Sequence, residues 1–355
     1  MPNVGIIGIG FMGMMHYLAY QKIRGVKVRA LCEQDPKRLA GDWRSIKGNF
    51  GPPGEIMDLS GIAKYAEVDE MLADPSLDLI DVCLPPSLHA DITIAALKAG
   101  KHVFCEKPIA LKAADGRRMV EAAERCGKLL LIGHVLPFFP EFNFACKIIQ
   151  SGKYGKIRGG HFTRMISDPA WLPDYFNPDK VGGPMLDLHI HDAHFIRLVC
   201  GMPQQVQSVG TMRGEVVERF STQFLFDDPG LIVTAQSGVI PQQGRPFAYS
   251  YEIYLERATI LCQYAALPTA GDIVTPVTLL LDKGKVERPK IASGDVMATF
   301  QAELTEVVRS VSANKPSAIL SGELARDALT ICQKETESVR KGKPVKVAAA
   351  SSRVK

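Results

Sequence analysis

No Cys-x-x-Cys pair occurs among the eight cysteines, which stand at 32, 83, 105, 126, 146, 200, 262 and 332. That spacing gives no zinc ribbon and no thioredoxin-type couple. Several of the thiols fall inside apolar strand-like runs, so they read as reduced core residues of a cytoplasmic protein. No apolar run is long enough to span a bilayer. The apolar start lacks the basic n-region and small-residue cleavage site of a secretory leader. Net charge is only +4 over 355 residues. No basic stripe with interleaved aromatics accompanies it, so neither nucleic acid nor a membrane is implied as a partner. No internal repeat is present. What remains is 46% hydrophobic and 23% charged, the composition of a soluble globular protein with ample core. At this length two domains are expected.

The chain opens with Val4-Gly5-Ile6-Ile7 followed by Gly8-Ile9-Gly10-Phe11-Met12-Gly13. A short apolar run, a GxGxxG turn and a helical stretch from Met12 to Arg24 form the context of a dinucleotide fingerprint. Gly8 permits the tight turn, Gly10 lets a pyrophosphate approach the backbone, and Gly13 lets the helix pack on the strand. The first-turn N–H groups, from Phe11 and Met12 onward, then face the phosphates. A second strand, Val26 to Cys32, leads into Glu33, near the fingerprint's spacing of about 20 residues. A carboxylate there accepts from a ribose hydroxyl and repels a 2′-phosphate, favouring NAD. Lys37 and Arg38 lie close by, and NADP is not excluded.

The first third alternates strand and helix. Pro36 to Ile46 is expected to be helical, and Gly48 to Gly61 is a Gly/Pro-rich loop. Leu79 to Leu84 is a strand running into Pro85-Pro86; Ser87 is expected to cap a helix that reaches Ala99 and stops at Gly100. His102 to Cys105 is a strand that ends in Glu106-Lys107-Pro108, Ala113 to Cys126 a helix, and Leu129 to Gly133 a strand. Ligands of such doubly wound sheets bind outside the carboxyl ends of the strands, where Leu84-Pro85 and Glu106-Lys107 fall. After Gly133 come a helix at Pro140 to Ser151, a strand at Ile157 to Ile166, and β-branched or alternating runs from Gln205 to about Leu281. Two helices, Val296 to Ala313 and Gly322 to Val339, precede a basic tail from Lys341. The fold class is α/β: a Rossmann doubly wound parallel sheet over residues 1–130, then an α+β domain with a large, mostly antiparallel, open-faced sheet over 131–355. The late helices are free to pack back on the first domain.

The segment Gly182-Gly183-Pro184-Met185-Leu186-Asp187-Leu188-His189-Ile190-His191-Asp192-Ala193-His194 reads as a helix opened by glycines. On an α-helix Asp187, His191 and His194 share one face and His189 points elsewhere. Three roles are open to them: satisfied core groups, a two-imidazole-plus-carboxylate metal site, or an acid–base pair with Asp187 orienting His191. A dinucleotide domain in the same chain favours the third, and no metal is assigned. Arg164 to Phe176, with Asp168, Trp171, Asp174 and Tyr175, is expected either as a loop over the pocket, with Arg164 and Trp171 as contacts, or as a surface crossover with one buried Trp; His134 at a strand's end is a further candidate.

Taken together, Gly8 to Gly13, Leu79 to Pro86 through His89 to Val103, Glu106-Lys107-Pro108 and Gly182 to His191 resemble the Gfo/Idh/MocA oxidoreductases over essentially the whole chain. The resemblance implies a Rossmann domain followed by an open-faced α/β domain, nicotinamide between them, and association through the sheet as a homodimer or homotetramer. It places Lys107 beside the substrate hydroxyl, often with a cis bond before Pro108, and makes Lys107, Asp187 and His191 the catalytic set. It also makes Leu84, Pro85, His89, Glu106 and Lys107 cofactor contacts. His191 is suited to take the hydroxyl proton, since an ordinary imidazole titrates at about 6.5; Lys107 stabilises the alkoxide. Departures include His189 where glycine is common, His194 where aspartate is common, and no arginine after Gly133.

The implied activity is NAD-dependent hydride transfer involving a secondary alcohol of a sugar, cyclitol or related polyol. His134, Arg164, Trp171 and His194 are expected around this polyhydroxylated small molecule. Alternatives are a lyase or glycosidase that retains NAD for a transient oxidation, a cofactor-binding regulator, and a metal enzyme using Asp187, His191 and His194.

Overall fold

The computed structural model describes residues 1–48, 50–291 and 295–347. Asn49 of the Gly/Pro-rich loop and residues 348–355 of the basic tail lie outside the described residues. In chain order the elements are β1 (Asn3–Ile7), α1 (Phe11–Tyr20), β2 (Lys27–Cys32), α2 (Pro36–Ala40), β3 (Ala63–Tyr65), α3 (Val68–Leu72), β4 (Leu79–Val82), α4 (His89–Lys98), β5 (His102–Glu106), α5 (Ala113–Cys126), β6 (Leu130–Gly133), α6 (Pro140–Gln150), β7 (Ile157–Ser167), α7 (Ile190–Cys200), β8 (Gln205–Arg213), β9 (Val216–Leu225), β10 (Ile232–Ile240), β11 (Ala248–Leu255), β12 (Ala258–Ala265), β13 (Ile273–Leu281), β14 (Val286–Glu287), α8 (Val296–Ala313), α9 (Gly322–Lys341) and β15 (Val345–Lys346). They fall into two compact units, Met1–Phe139 with Gly294–Arg326 and Pro140–Ser293 with Asp327–Lys355.

The first unit holds a six-stranded sheet in the order β3-β2-β1-β4-β5-β6, parallel throughout. Strand order reverses between β1 and β4, which sets the glycine turn after β1 and Leu84-Pro85 after β4 at the topological switch point. β4 and β6 are buried along their whole length, as parallel strands covered on both faces require. Val4, Ile6, Leu79 and Phe104 of this sheet share a core with Met14 and Met15 of α1 and with Phe300, Leu304 and Val307 of α8. A residue from each end of the chain thus contributes to one core.

Two local expectations are corrected here. The helix expected over Pro36 to Ile46 stops at Ala40: Asp35 caps it by accepting from the Lys37 and Arg38 amides at 2.8 and 3.4 Å, and Gly41 then turns at φ +105, where a Cβ would lie 2.5 Å from the Met57 carbonyl oxygen. Ser87 makes no cap. Pro85-Pro86 impose a short 3-10 turn, Pro86–Leu88, before α4 begins. Gly100 does turn the chain after α4, at φ +78.

The second unit holds a nine-stranded sheet, β14-β13-β12-β11-β7-β10-β9-β8-β15. β7 and β10 are parallel and the other pairs antiparallel, so the sheet is mixed and mostly antiparallel. On β8, Val206 and Ser208 are buried while Gln207 and Val209 are exposed, the period-2 pattern of a sheet with one covered face. Under the covered face Phe142, Phe162, Phe195 and Tyr251 form an aromatic core. Among the described residues, no helix is long and apolar enough to cross a membrane.

Candidate functional site

Each glycine of the N-terminal turn meets a different constraint. Gly8 sits at φ +89, and a Cβ there would lie 2.8 Å from the Cys83 carbonyl oxygen. A Cβ on Gly13 would lie 2.0 Å from the Gly8 carbonyl oxygen, so the helix approaches the strand at a distance that only glycine permits. At Gly10 a Cβ would meet nothing within 4 Å. The backbone therefore faces open space where α1 begins, with its first-turn amides directed outward.

Glu33 closes this turn from β2. Its Oε2 accepts from the Ile9 amide at 2.7 Å and its Oε1 from the Asp35 amide at 3.0 Å. Each oxygen keeps a lone pair for a ribose hydroxyl. Arg38 donates to the Ile9 carbonyl at 3.4 Å, which brings a guanidinium to the same turn. Phe11 and Met12 are half-buried, and the Phe11 ring packs edge-on against Phe50 at 4.8 Å. Open space at Gly10, exposed helix amides and an anchored carboxylate fit a dinucleotide's pyrophosphate and ribose.

At the carboxyl end of β5 the Lys107–Pro108 peptide is cis. Glu106 is buried and its Oε2 accepts from the Lys107 amide at 3.1 Å. Lys107 is half-buried. His89, expected as a cofactor contact, is fully buried. Its Nδ1 lies 2.8 Å from the Pro108 carbonyl oxygen and its Nε2 2.8 Å from that of Leu84. Burial pushes this imidazole down from its usual value, against the opposing pull of those carbonyls. His89 thus cross-braces the two strand ends instead of facing a ligand. Leu84 is half-buried and Pro85 exposed.

In the second unit the glycine-opened helix has a form the spacing did not predict. Gly182 and Gly183 turn at φ +79 and +65, Met185–His189 is a π-helical turn, and α7 follows. The wider π turn departs from the α spacing on which a common face for Asp187, His191 and His194 was expected. Asp187 and His191 are half-buried; His189 and His194 are fully buried. His189 Nε2 lies 3.0 Å from both Glu335 oxygens, and its ring packs edge-on against Phe220 at 4.9 Å. Burial would lower this imidazole, but Glu335 reverses the sign and the net direction is up.

Of the expected substrate contacts, Arg164 is corrected in both position and surroundings. It lies in β7 instead of the following loop, 3% exposed, with Nε and Nη2 donating to the two Asp192 oxygens at 2.7 and 2.9 Å. A buried guanidinium needs such a bidentate partner, so Arg164 serves the core. His194 is fully buried and His134 only 1% exposed; neither is open to a substrate. Trp171 is 66% exposed, on the loop that follows β7.

Tyr175, on that loop, was not singled out as a contact. It is 2% exposed and packs with Ile166, Leu188 and Val239. Burial first, and the neighbouring Asp187 carboxylate second, push its phenol up. Its proximity to Asp187 has no local sequence signal. Asp192 and Glu335, the partners of Arg164 and His189, were likewise missed because they pair across 28 and 146 positions.

Among the described residues, two sets hold three metal-compatible atoms within 4.8 Å of one another: His16, Asp81 and Cys83, and His189, Cys332 and Glu335. Asp187, His191 and His194 are not such a set. All eight cysteines are free; five are buried, and Cys83, Cys126 and Cys200 are half-buried, Cys83 against the core of the first unit.

A family model for an NAD-binding Rossmann-fold oxidoreductase, the Gfo/Idh/MocA type, matches residues 2–134. A second, for the Gfo/Idh/MocA C-terminal domain, matches residues 142–261. Myo-inositol 2-dehydrogenase of Thermotoga maritima is 26% identical over 97% of this chain and 98% of its own. Levoglucosan dehydrogenase of Pseudarthrobacter phenanthrenivorans is 32% identical over 58% of this chain and 53% of its own. A solved levoglucosan dehydrogenase in complex with NADH and levoglucosan has the same fold, with TM-score 0.78 at 22% identity, covering 98% of this chain and 99% of that one.

Proposed function

Because the chain belongs to the Gfo/Idh/MocA oxidoreductase family, we propose that it is an NAD-dependent dehydrogenase of a secondary alcohol in a sugar, cyclitol or related polyol, or a reductase of the matching ketone. The observation that carries this is the partition of the histidine-rich segment. Asp187 and His191 remain half-buried, while His189 and His194 beside them are fully buried. That partition leaves one carboxylate and one imidazole where a substrate could reach them, which supports the acid–base reading.

NAD, when bound, supplies the hydride acceptor. The glycine turn and Glu33 hold its pyrophosphate and ribose, with Arg38 at the same turn leaving NADP as a second acceptable form. Lys107 donates to the substrate oxygen and stabilises charge as its proton leaves. His191 takes that proton, and returns it in the reductive direction. Asp187 orients the imidazole and favours its charged form. The Tyr175 phenol, kept protonated by burial and by Asp187, is suited to donate to that carboxylate and fix it. Residues 1–130 thus serve the nucleotide and supply Lys107, and residues within 131–355 supply the rest of the substrate site.

We further place the chain in the cytoplasm, to which its eight free thiols are suited. The partner is a second copy seated on the exposed face of the nine-stranded sheet, where Val209, Ile232 and Val274 are 60–66% exposed; sedimentation velocity checks the resulting dimer or tetramer. The function itself is tested by NADH absorbance with NAD and a panel of inositols, aldoses and anhydrosugars. NADH formation with one substrate class, undiminished by chelators, is expected. Chelator-sensitive turnover would move the chemistry to a metal.

A further inference from the structure

A buried ionic cluster lies directly beneath the Glu-Lys-Pro turn, inside the first unit. His16 of α1 is fully buried. Its Nδ1 is 3.0 Å from Asp81 Oδ2 on β4, within hydrogen-bond geometry, and its Nε2 is 3.1 Å from Glu106 Oε1 at the end of β5, an ionic approach out of line for a hydrogen bond. The ring thus spans two carboxylates, one on each nitrogen. Cys83 Sγ approaches Nδ1 at 3.2 Å, and the rings of Phe104 and Phe300 flank the imidazole at 5.5 and 6.0 Å.

The other groups facing the cluster carry no positive charge. Glu303 of α8 is fully buried, with no hydrogen-bond partner for either oxygen among the described residues; burial, then Glu106, pushes it well up, towards the neutral acid. Tyr20 and Cys83 are raised by burial and by Asp81. For His16 burial acts downward, but Cys83 and Asp81 outweigh it and the net direction is well up. The Asp81 carboxylate against Nδ1 favours the protonated ring, which would offset the buried carboxylates. Carboxylates buried this deeply are costly without a countercharge, so the position of Glu106 depends on the ring.

Glu106 is also the link outward. Its Oε1 faces His16 and its Oε2 accepts the Lys107 amide. Gly133, opposite it on β6, leaves the room it needs, since a Cβ there would lie 3.0 Å from Oε1. We propose that His16 is a positioning residue for Lys107: clamped between Asp81 and Glu106, it fixes the carboxylate that holds the Lys107 amide and so sets how the lysine side chain is presented. This rests on Lys107 being the proton-handling lysine of the proposed dehydrogenase.

The test uses the intact protein and His16→Gln, with Asp81→Asn as a second variant that loosens one arm of the clamp and keeps the ring. Acylation of Lys107 by an amine-reactive ester is followed against pH by peptide mass spectrometry, with exposed Lys98 as internal control. Circular dichroism reports folding, and emission metal analysis reports bound ions. In folded His16→Gln the Lys107 rate should change at least about fivefold, with its pH profile displaced by about one unit, a tenfold step in proton affinity; Lys98 should be unaffected. Asp81→Asn should move the Lys107 rate the same way by less, and it decides the matter if His16→Gln does not fold. Unchanged Lys107 labelling in a folded variant overturns the proposal. So does a divalent metal bound stoichiometrically to the wild type and lost from His16→Gln, because the cluster would then be a coordination site. Normal turnover by Lys107→Ala would instead defeat the dehydrogenase assignment of Lys107 while leaving the labelling result standing.

Discussion

The glycine turn of the first unit and the histidine-rich turn of the second both bring polar groups together, but they do so with different parts of the chain. At the glycine turn the chemistry belongs to the backbone. Gly8 and Gly13 are required by contacts of 2.8 and 2.0 Å that a Cβ would make, and Gly10 leaves space free. At the histidine-rich turn it belongs to side chains, and those are divided. Asp187 and His191 stay half-buried, whereas His189 and Asp192 enter the core against Glu335 and Arg164. A backbone site is complete within a few residues. A side-chain site is decided by whichever distant partner claims each group.

The largest effects should fall on the half-buried groups assigned to proton transfer. Lys107→Ala and His191→Ala should each lower turnover by about 10²–10⁴-fold, with NAD affinity, read by NADH fluorescence titration, within a few-fold of wild type. Near-normal rates in either would remove that residue from the acid–base set. Next in size is the core pair: Asp192→Ala leaves the Arg164 guanidinium buried and uncompensated, and should cost about 3–5 kcal/mol in urea unfolding. A loss confined to KM, with stability unchanged, would return Arg164 to the substrate pocket.

Smaller, and sharper, is the contrast between two glycines. Gly13→Ala should destabilise the fold by about 1–3 kcal/mol through overpacking. Gly10→Ala should change stability by no more than about 0.5 kcal/mol, yet weaken NAD at least about tenfold by filling the space for the pyrophosphate. Equal behaviour of the two would mean that the open space at Gly10 is not where the cofactor lies. The smallest effect is one of pH slope. The folded-state value of His189 is raised above its usual 6.5 by Glu335, so its stabilisation is fully present below about pH 6.5 and lost as pH rises through the folded value. The stability gap between wild type and His189→Gln, measured by urea unfolding, should therefore narrow towards alkaline pH; a constant gap would mean a neutral histidine.

Both sheets were legible because strand burial is written as continuous apolar runs or as alternation. Alternating strands and helices pointed to a parallel doubly wound sheet, but not to its order, 3-2-1-4-5-6, since the same alternation also suits 2-1-3-4-5. The helix after Pro36 was overextended because Gly41, not hydrophobic periodicity, decides its end. The π turn at Met185–His189 was not legible, since α spacing is the default for such a segment. Arg164, His134 and His194 looked like pocket residues because arginine and histidine are rarely buried without partners, and the partner of Arg164 lies 28 positions away. The His16 cluster, drawing on α1, β4, β5 and α8, has no trace in any single stretch of sequence.

Hydride transfer itself is tested most directly by isotope. A cyclitol or anhydrosugar that yields NADH with the purified protein would be prepared with deuterium on the carbinol carbon and incubated with NAD, and the free reduced cofactor analysed by mass spectrometry. The account requires deuterium in the released NADH, lost in Lys107→Ala and His191→Ala. Product formed with no label in free NADH, the deuterium returned to the product, would contradict it and identify a transient oxidation on retained cofactor.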